Sequence, residues 1–158
     1  SYANPLIAYG IERFVMAAKE AGADGLIVPD LPPEEASMFS DLCKRESLAL
    51  IFFLAPTSNE KRIDLVAEKA SGFIYALSLI GITGARDDLS ADLTDFIGRI
   101  RSKTDTPLVL GFGISKPEHV RKLHGLVDGF IVGSALVRAG KESVEAVRTL
   151  AESLRNAT

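Results

Sequence analysis

Cysteine is almost absent from this chain: Cys43 is the one thiol among 158 residues, so no internal disulfide can form. It falls within a helical pattern and reads as a buried structural thiol rather than a reactive one, which suits a reducing cytoplasm. No basic run stands behind the net charge of −3, which argues against nucleic acid or an anionic membrane as the main partner. No apolar stretch is long enough to span a bilayer, and the N-terminus has no basic-then-apolar signal. Histidine is scarce, and His119 and His124 fall on a short outer helix where a surface role is expected. No cluster has metal-ligand spacing, so no metal site is expected. Linkers, low-complexity segments and a second domain are also missing.

What remains is an ordinary globular composition, 47% hydrophobic and 25% charged, long enough to bury a substantial core. Apolar runs rich in β-branched and aromatic residues alternate with segments of helical period. The strand candidates are Gly25–Asp30, Leu48–Leu54, Gly72–Ser78, Pro107–Phe112 and Gly129–Val132. Both faces of each run are apolar, as in parallel strands covered on both sides. Helices are expected over Ile11–Ala21, Pro33–Glu46, Asn59–Ala70, Ala91–Ser102, Pro117–Leu123 and Lys141–Asn156. Pro33 and Pro117, each followed by glutamate, make good first turns, and Ser58 is a plausible N-cap. Gly22-Ala23-Asp24-Gly25 and Leu126-Val127-Asp128-Gly129 are similar entries into a strand, which suggests an internally repetitive βα architecture.

Two glycine-bearing strand ends carry the functional signal: Gly111-Phe112-Gly113-Ile114-Ser115 and Gly133-Ser134-Ala135-Leu136-Val137. Glycine allows backbone to approach a ligand closely, and the helix that follows offers free N–H groups to an anion. Two such turns on the last consecutive strands match the phosphate site that (β/α)8 barrels build after strands 7 and 8. Tight strand-helix turns alone would also use glycine, but the paired arrangement favours a phosphorylated small molecule. A dinucleotide fold would instead show its G-x-G-x-x-G early, at the first helix. The barrel is therefore preferred over a doubly wound sheet. A full barrel has eight strands and typically about 250 residues. Here there are five strand candidates and a stub at Ser1–Asn4, so the chain reads as starting mid-domain, a single partial barrel over residues 1–158.

With these residues in view, the chain resembles the C-terminal part of the tryptophan synthase alpha subunit. The matching segments are Tyr2-Ala3-Asn4-Pro5, Ala23 through Pro32, Leu54-Ala55-Pro56-Thr57, Tyr75-Ala76-Leu77-Ser78, Gly81-Ile82-Thr83-Gly84-Ala85-Arg86, Gly111 through Ser115, and Gly133-Ser134-Ala135. The resemblance implies a TIM barrel, of which this chain would hold strands 4 to 8 and a stub of strand 3. It implies cleavage of indole-3-glycerol phosphate to indole and glyceraldehyde 3-phosphate. Indole would then pass to a beta subunit that holds pyridoxal phosphate; no cofactor is expected here. The substrate phosphate would lie against Gly84, Gly113, Gly133 and Ser134, although Ser134 can equally serve as a helix N-cap. Tyr2, Ile27, Pro29, Phe53, Tyr75, Thr83, Phe112 and Ile131 match the indole pocket. Pro29 and Phe53 stand where smaller or aliphatic residues are common, and Phe53 and Ile131 could as well be barrel core.

The cleavage needs a proton on indole C3 and a proton taken from the glycerol hydroxyl, hence two carboxyl groups with separate roles. The resemblance implies a glutamate ending the second strand and an aspartate in the loop after it, both in the front third of the barrel, and nothing in this sequence matches the family's E-x-G-x-P-F-S-D-P signature. Asp30, at a strand's C-terminal end, suggests capping or loop pinning rather than proton transfer. Asp87 and Asp88 read as solvated charge, while Thr83 is expected to contact the missing aspartate when its loop closes. Two function classes stay open: a segment of the lyase, or a non-catalytic partial-barrel phosphate-ligand or complementation module. An open arc with free strand edges is also expected to self-associate.

Overall fold

The computed structural model describes residues 1–77, 91–111 and 113–158. Five parallel strands, β1 (Gly25–Ile27), β2 (Ala49–Leu54), β3 (Ile74–Leu77), β4 (Leu108–Gly111) and β5 (Gly129–Ile131), lie side by side in sequence order. Every crossover thus joins neighbouring parallel strands, and the sheet curls as an arc of a barrel with helices around it. Around it run α1 (Ala3–Tyr9), α2 (Ile11–Glu20), α3 (Ser37–Arg45), α4 (Glu60–Lys69), α5 (Ala91–Arg101), α6 (Pro117–Leu123), α7 (Ser134–Gly140) and α8 (Val144–Arg155).

The strands are apolar on both faces, yet the two faces meet different surroundings. Leu26, Leu50, Phe52, Leu54, Ile74, Ala76, Leu108 and Leu110 point outward and join Val15, Phe39, Cys43, Ile63, Val66, Phe96, Ile100 and Val120 in one core between sheet and helices. The alternate residues line the concave face. Ile27, Phe53, Leu77, Val109 and Ile131 there are half-buried, while Ile51 and Tyr75 are buried. The period of two along each strand separates these sets, so a single register decides which side chains reach the concave side.

Several boundaries differ from expectation for identifiable reasons. Only Ser1 and Tyr2 precede α1, so the strand stub expected over Ser1–Asn4 becomes a helix start. The Ser1 backbone nitrogen still donates to Ile27 O at 3.0 Å, beside β1. The helix expected from Pro33 begins at Ser37, because residues 32–36 form turns closed by Glu35 N–H to Pro32 O and Ala36 N–H to Pro33 O. Lys69 Nζ also claims Pro33 O at 2.9 Å, the carbonyl that a helix from Pro33 would give to Ser37 N–H. Asn59, not Ser58, caps α4: its Oδ1 accepts Arg62 N–H at 2.9 Å, while Ser58 Oγ accepts Ala55 N–H at 3.0 Å. The helix expected from Lys141 begins at Val144, where Ser143 Oγ accepts Ala146 N–H, and a separate helix, α7, precedes it.

Asp128 ties the entries of β4 and β5 together. Its carboxylate accepts Leu108 N–H at 2.7 Å and the Arg101 guanidinium at 2.5 Å, while its own N–H donates to Leu108 O. The Leu108 N–H and, next, Arg101 hold this carboxyl below its usual range. Desolvation pushes the buried Cys43 thiol up to about 11, consistent with an inert core position.

Candidate functional site

The sheet's C-terminal ends gather the residues that the sequence marked. Gly111 pairs with Ile131 across β4 and β5, so Gly113 and Gly133, each two residues further on, leave neighbouring strands at matching heights. Gly113 has φ of +83°, a conformation glycine adopts without strain, and it is exposed. Gly133 and Ser134 are exposed at the start of α7, and a Cβ added at Gly133 would meet open space. Ser134 is the first residue of α7, and Gly133, which occupies the cap position, makes no side-chain cap. Gly84, the fourth phosphate candidate, lies outside the described residues, as do Thr83, Phe112, Asp87 and Asp88.

Ile27, Phe53, Tyr75 and Ile131 share the concave face, brought there from four different strands. Phe53 is the direct partner of Tyr75, with ring centroids 4.8 Å apart and planes tilted by 31°. Tyr75 is in register with Val109, yet its hydroxyl reaches Gly111, so the ring leans toward the C-terminal rim. A Cβ on Gly111 would fall inside van der Waals contact of Tyr75 Oη, Cε1 and Cζ. Gly111 therefore has a packing role that the motif alone did not suggest. No signal in the linear sequence could have shown it, because only strand register brings the two together. Burial raises the Tyr75 phenol above its ordinary value.

Pro29 and Tyr2 stand apart from this set. Both are exposed, Pro29 in the turn after β1 and Tyr2 ahead of α1. Asp30 Oδ1 accepts Ala3 N–H at 2.8 Å, which joins the rim after β1 to the first turn of α1. An acceptor at a helix's first N–H group satisfies one of its orphan donors. His119 Nδ1 faces Ser115 N–H at 3.4 Å, within the loop that follows Gly113.

None of the strand residues on the concave face is a carboxylate, and Tyr75 carries the one hydroxyl among them. Among the described residues, no group of His, Cys, Asp and Glu could hold a metal ion, and no helix is long and apolar enough to cross a membrane.

Comparison with known proteins places this geometry. The family model described as tryptophan synthase alpha chain matches residues 1–157. The tryptophan synthase alpha chain of Roseiflexus sp. (strain RS-1) is 52% identical over 136 residues, which cover 86% of this chain and 52% of that protein. That of Geotalea daltonii is 44% identical over 159 residues, covering 98% of this chain and 60% of the relative. Among solved structures, a tryptophan synthase from M. tuberculosis aligns with TM-score 0.87 and 33% identity, over 99% of this chain and 59% of the other. Tryptophan synthase subunit alpha from Campylobacter jejuni aligns with TM-score 0.85 and 36% identity, over 97% of this chain and 62% of the other. The chain thus spans between half and two thirds of the length of these relatives. With a parallel five-stranded arc, its glycine turns on the last two strands and a family match from end to end, this chain belongs to the tryptophan synthase alpha chain family.

Proposed function

We propose that this chain supplies the phosphate site and part of the indole pocket of a tryptophan synthase alpha subunit, whose family reaction cleaves indole-3-glycerol phosphate to indole and glyceraldehyde 3-phosphate. The observation that carries the reading is the family match over residues 1–157. The two glycine turns leaving adjacent strands at matching heights support it. Backbone N–H groups at Gly84, Gly113, Gly133 and Ser134 would donate to the phosphate dianion without bringing a mobile counter-charge. Ile27, Pro29, Phe53, Tyr75, Thr83, Phe112, Ile131 and Tyr2 would surround the ring and exclude water. Asp30, bonded to Ala3 N–H, would support the rim rather than move protons.

The catalytic glutamate and aspartate of the family have no counterpart in these 158 residues. Binding without positioned acid and base lowers no chemical barrier, and each such group is typically worth about 10²–10⁴-fold. The 158-residue chain alone should therefore bind phosphate ligands and release no indole. In the complete system, working in the cytoplasm, a beta subunit would take the indole, and pyridoxal phosphate would belong to that partner. The missing signature also supports a second reading, a non-catalytic partial-barrel phosphate-ligand or complementation module.

Two measurements separate these readings. Calorimetry with indolepropanol phosphate should show binding by the chain and its loss in Gly133→Asp, which adds bulk and like charge at the open Gly133 position. Unchanged affinity in that variant refutes the phosphate assignment. Indole release should appear only when a front segment carrying the glutamate and aspartate is added, and then fall without vanishing in Asp30→Asn or Thr83→Ala. Activity of the chain alone, lost in Asp30→Asn, would place the catalytic carboxylate here.

A further inference from the structure

Phe53 stands between two spaces. One of its neighbours is the concave face, where its ring lies against Tyr75. The other is a recess of about 220 Å³ beneath the turn after β1, lined by Val28, Pro29, Asp30, Leu31, Phe52 and Arg62 as well as Phe53. Ligand pockets commonly run from about 300 to 1,000 Å³, so this recess is too small to hold a ligand on its own. It can, however, extend a neighbouring pocket.

The Phe53 ring cannot shift toward β3. Its partner Tyr75 is buried and leans on Gly111, where not even a methyl group would fit. A ring pressing on Phe53 from the concave side therefore cannot displace it toward Tyr75, and on its other side only the small recess is open to it. Aromatic packing of this kind also favours the observed rotamer.

We propose that Phe53 is a specificity-determining residue that limits the size of the aromatic ring this chain accepts, by closing the concave face off from the recess under Pro29. The inference rests on the indole-pocket reading above. An unsubstituted bicyclic ring fits against Phe53, and a ring carrying a further methyl group on that side collides with it. Shortening Phe53 joins the recess to the pocket and admits the larger ring.

The chain contains no tryptophan, so the fluorescence of an indole ligand reports its own binding without interference. The test titrates indolepropanol phosphate and its 4-, 5-, 6- and 7-methyl derivatives into the 158-residue chain, Phe53→Leu and Phe53→Val, with glycerol 3-phosphate as a control for the phosphate turns. One methyl group misplaced in an apolar pocket costs about 10–200-fold. The chain should bind at least one methyl derivative about tenfold or more below the parent, and Phe53→Val should bring that derivative to within about threefold of it. Phe53→Leu should fall between, and glycerol 3-phosphate should bind all three proteins alike. Equal binding of every methyl derivative by the unmodified chain, or unchanged discrimination in both variants, overturns the proposal. Binding of glycerol 3-phosphate with no indole ligand bound by any of the three would instead refute the pocket reading, and the role of Phe53 with it.

Discussion

Substituting Gly111 by alanine tests the packing of the concave face most directly. The added methyl would overlap Tyr75 Oη, Cε1 and Cζ at once, so the ring must move as a whole. Phe53 blocks one direction at 4.8 Å between centroids, and Gly111 itself is held in β4 by pairing to Leu77 and Ile131. Overpacking a closed site costs about 1–3 kcal/mol. With both escape routes restricted, the upper half of that range, about 2–3 kcal/mol, is expected. Tyr75→Val alone should cost about 2–4 kcal/mol by leaving a cavity. In the double variant the alanine methyl enters the vacated space, so its cost should disappear and the two changes should couple by about 2 kcal/mol. Urea unfolding followed by far-ultraviolet circular dichroism measures all four corners of the cycle, and an unchanged m-value confirms that only stability moved. Additivity within about 0.5 kcal/mol would refute the claim that Gly111 is small because Tyr75 needs the space.

Asp128, whose carboxyl is held low by Leu108 N–H and then Arg101, contributes stability that is complete above the unfolded carboxylate pKa of about 3.9 and lost as pH falls below it toward the depressed folded value. Its side chain is half-exposed, so Asp128→Asn should cost only about 0.5–1 kcal/mol at pH 7 and flatten the acid limb of a stability-pH curve; an unchanged limb would contradict the clamp. With its thiol raised to about 11, Cys43 should resist Ellman's reagent at pH 8 until the chain unfolds, and rapid labelling under native conditions would show that the site is open. The half-buried concave face and the strand edges of the arc should drive association, so a monodisperse 16.9 kDa monomer by light scattering at high concentration would contradict it.

Read alone, the sequence determined the architecture. Apolar β-branched runs alternating with helical periods allow few folds, and late glycine turns choose a barrel over a dinucleotide sheet. Its five strands and their order follow from that pattern, as does the family, and the sequence shows directly that the E-x-G-x-P-F-S-D-P signature is absent. Four residues that the family resemblance implied for an aromatic ring, Ile27, Phe53, Tyr75 and Ile131, share one face of the sheet, an assignment that a period of two gives only once register is known. Helix starts were less legible, because rival side chains take the deciding hydrogen bonds: Lys69 takes Pro33 O, and Asn59 rather than Ser58 reaches the first turn of α4. Only the tertiary structure decided that Tyr75 leans onto Gly111, that Asp128 clamps β4, and that Phe53 borders both Tyr75 and the recess under Pro29. Each of these joins residues distant along the chain through parallel strand register, and their spacing in sequence carries no trace of a contact that only pairing creates.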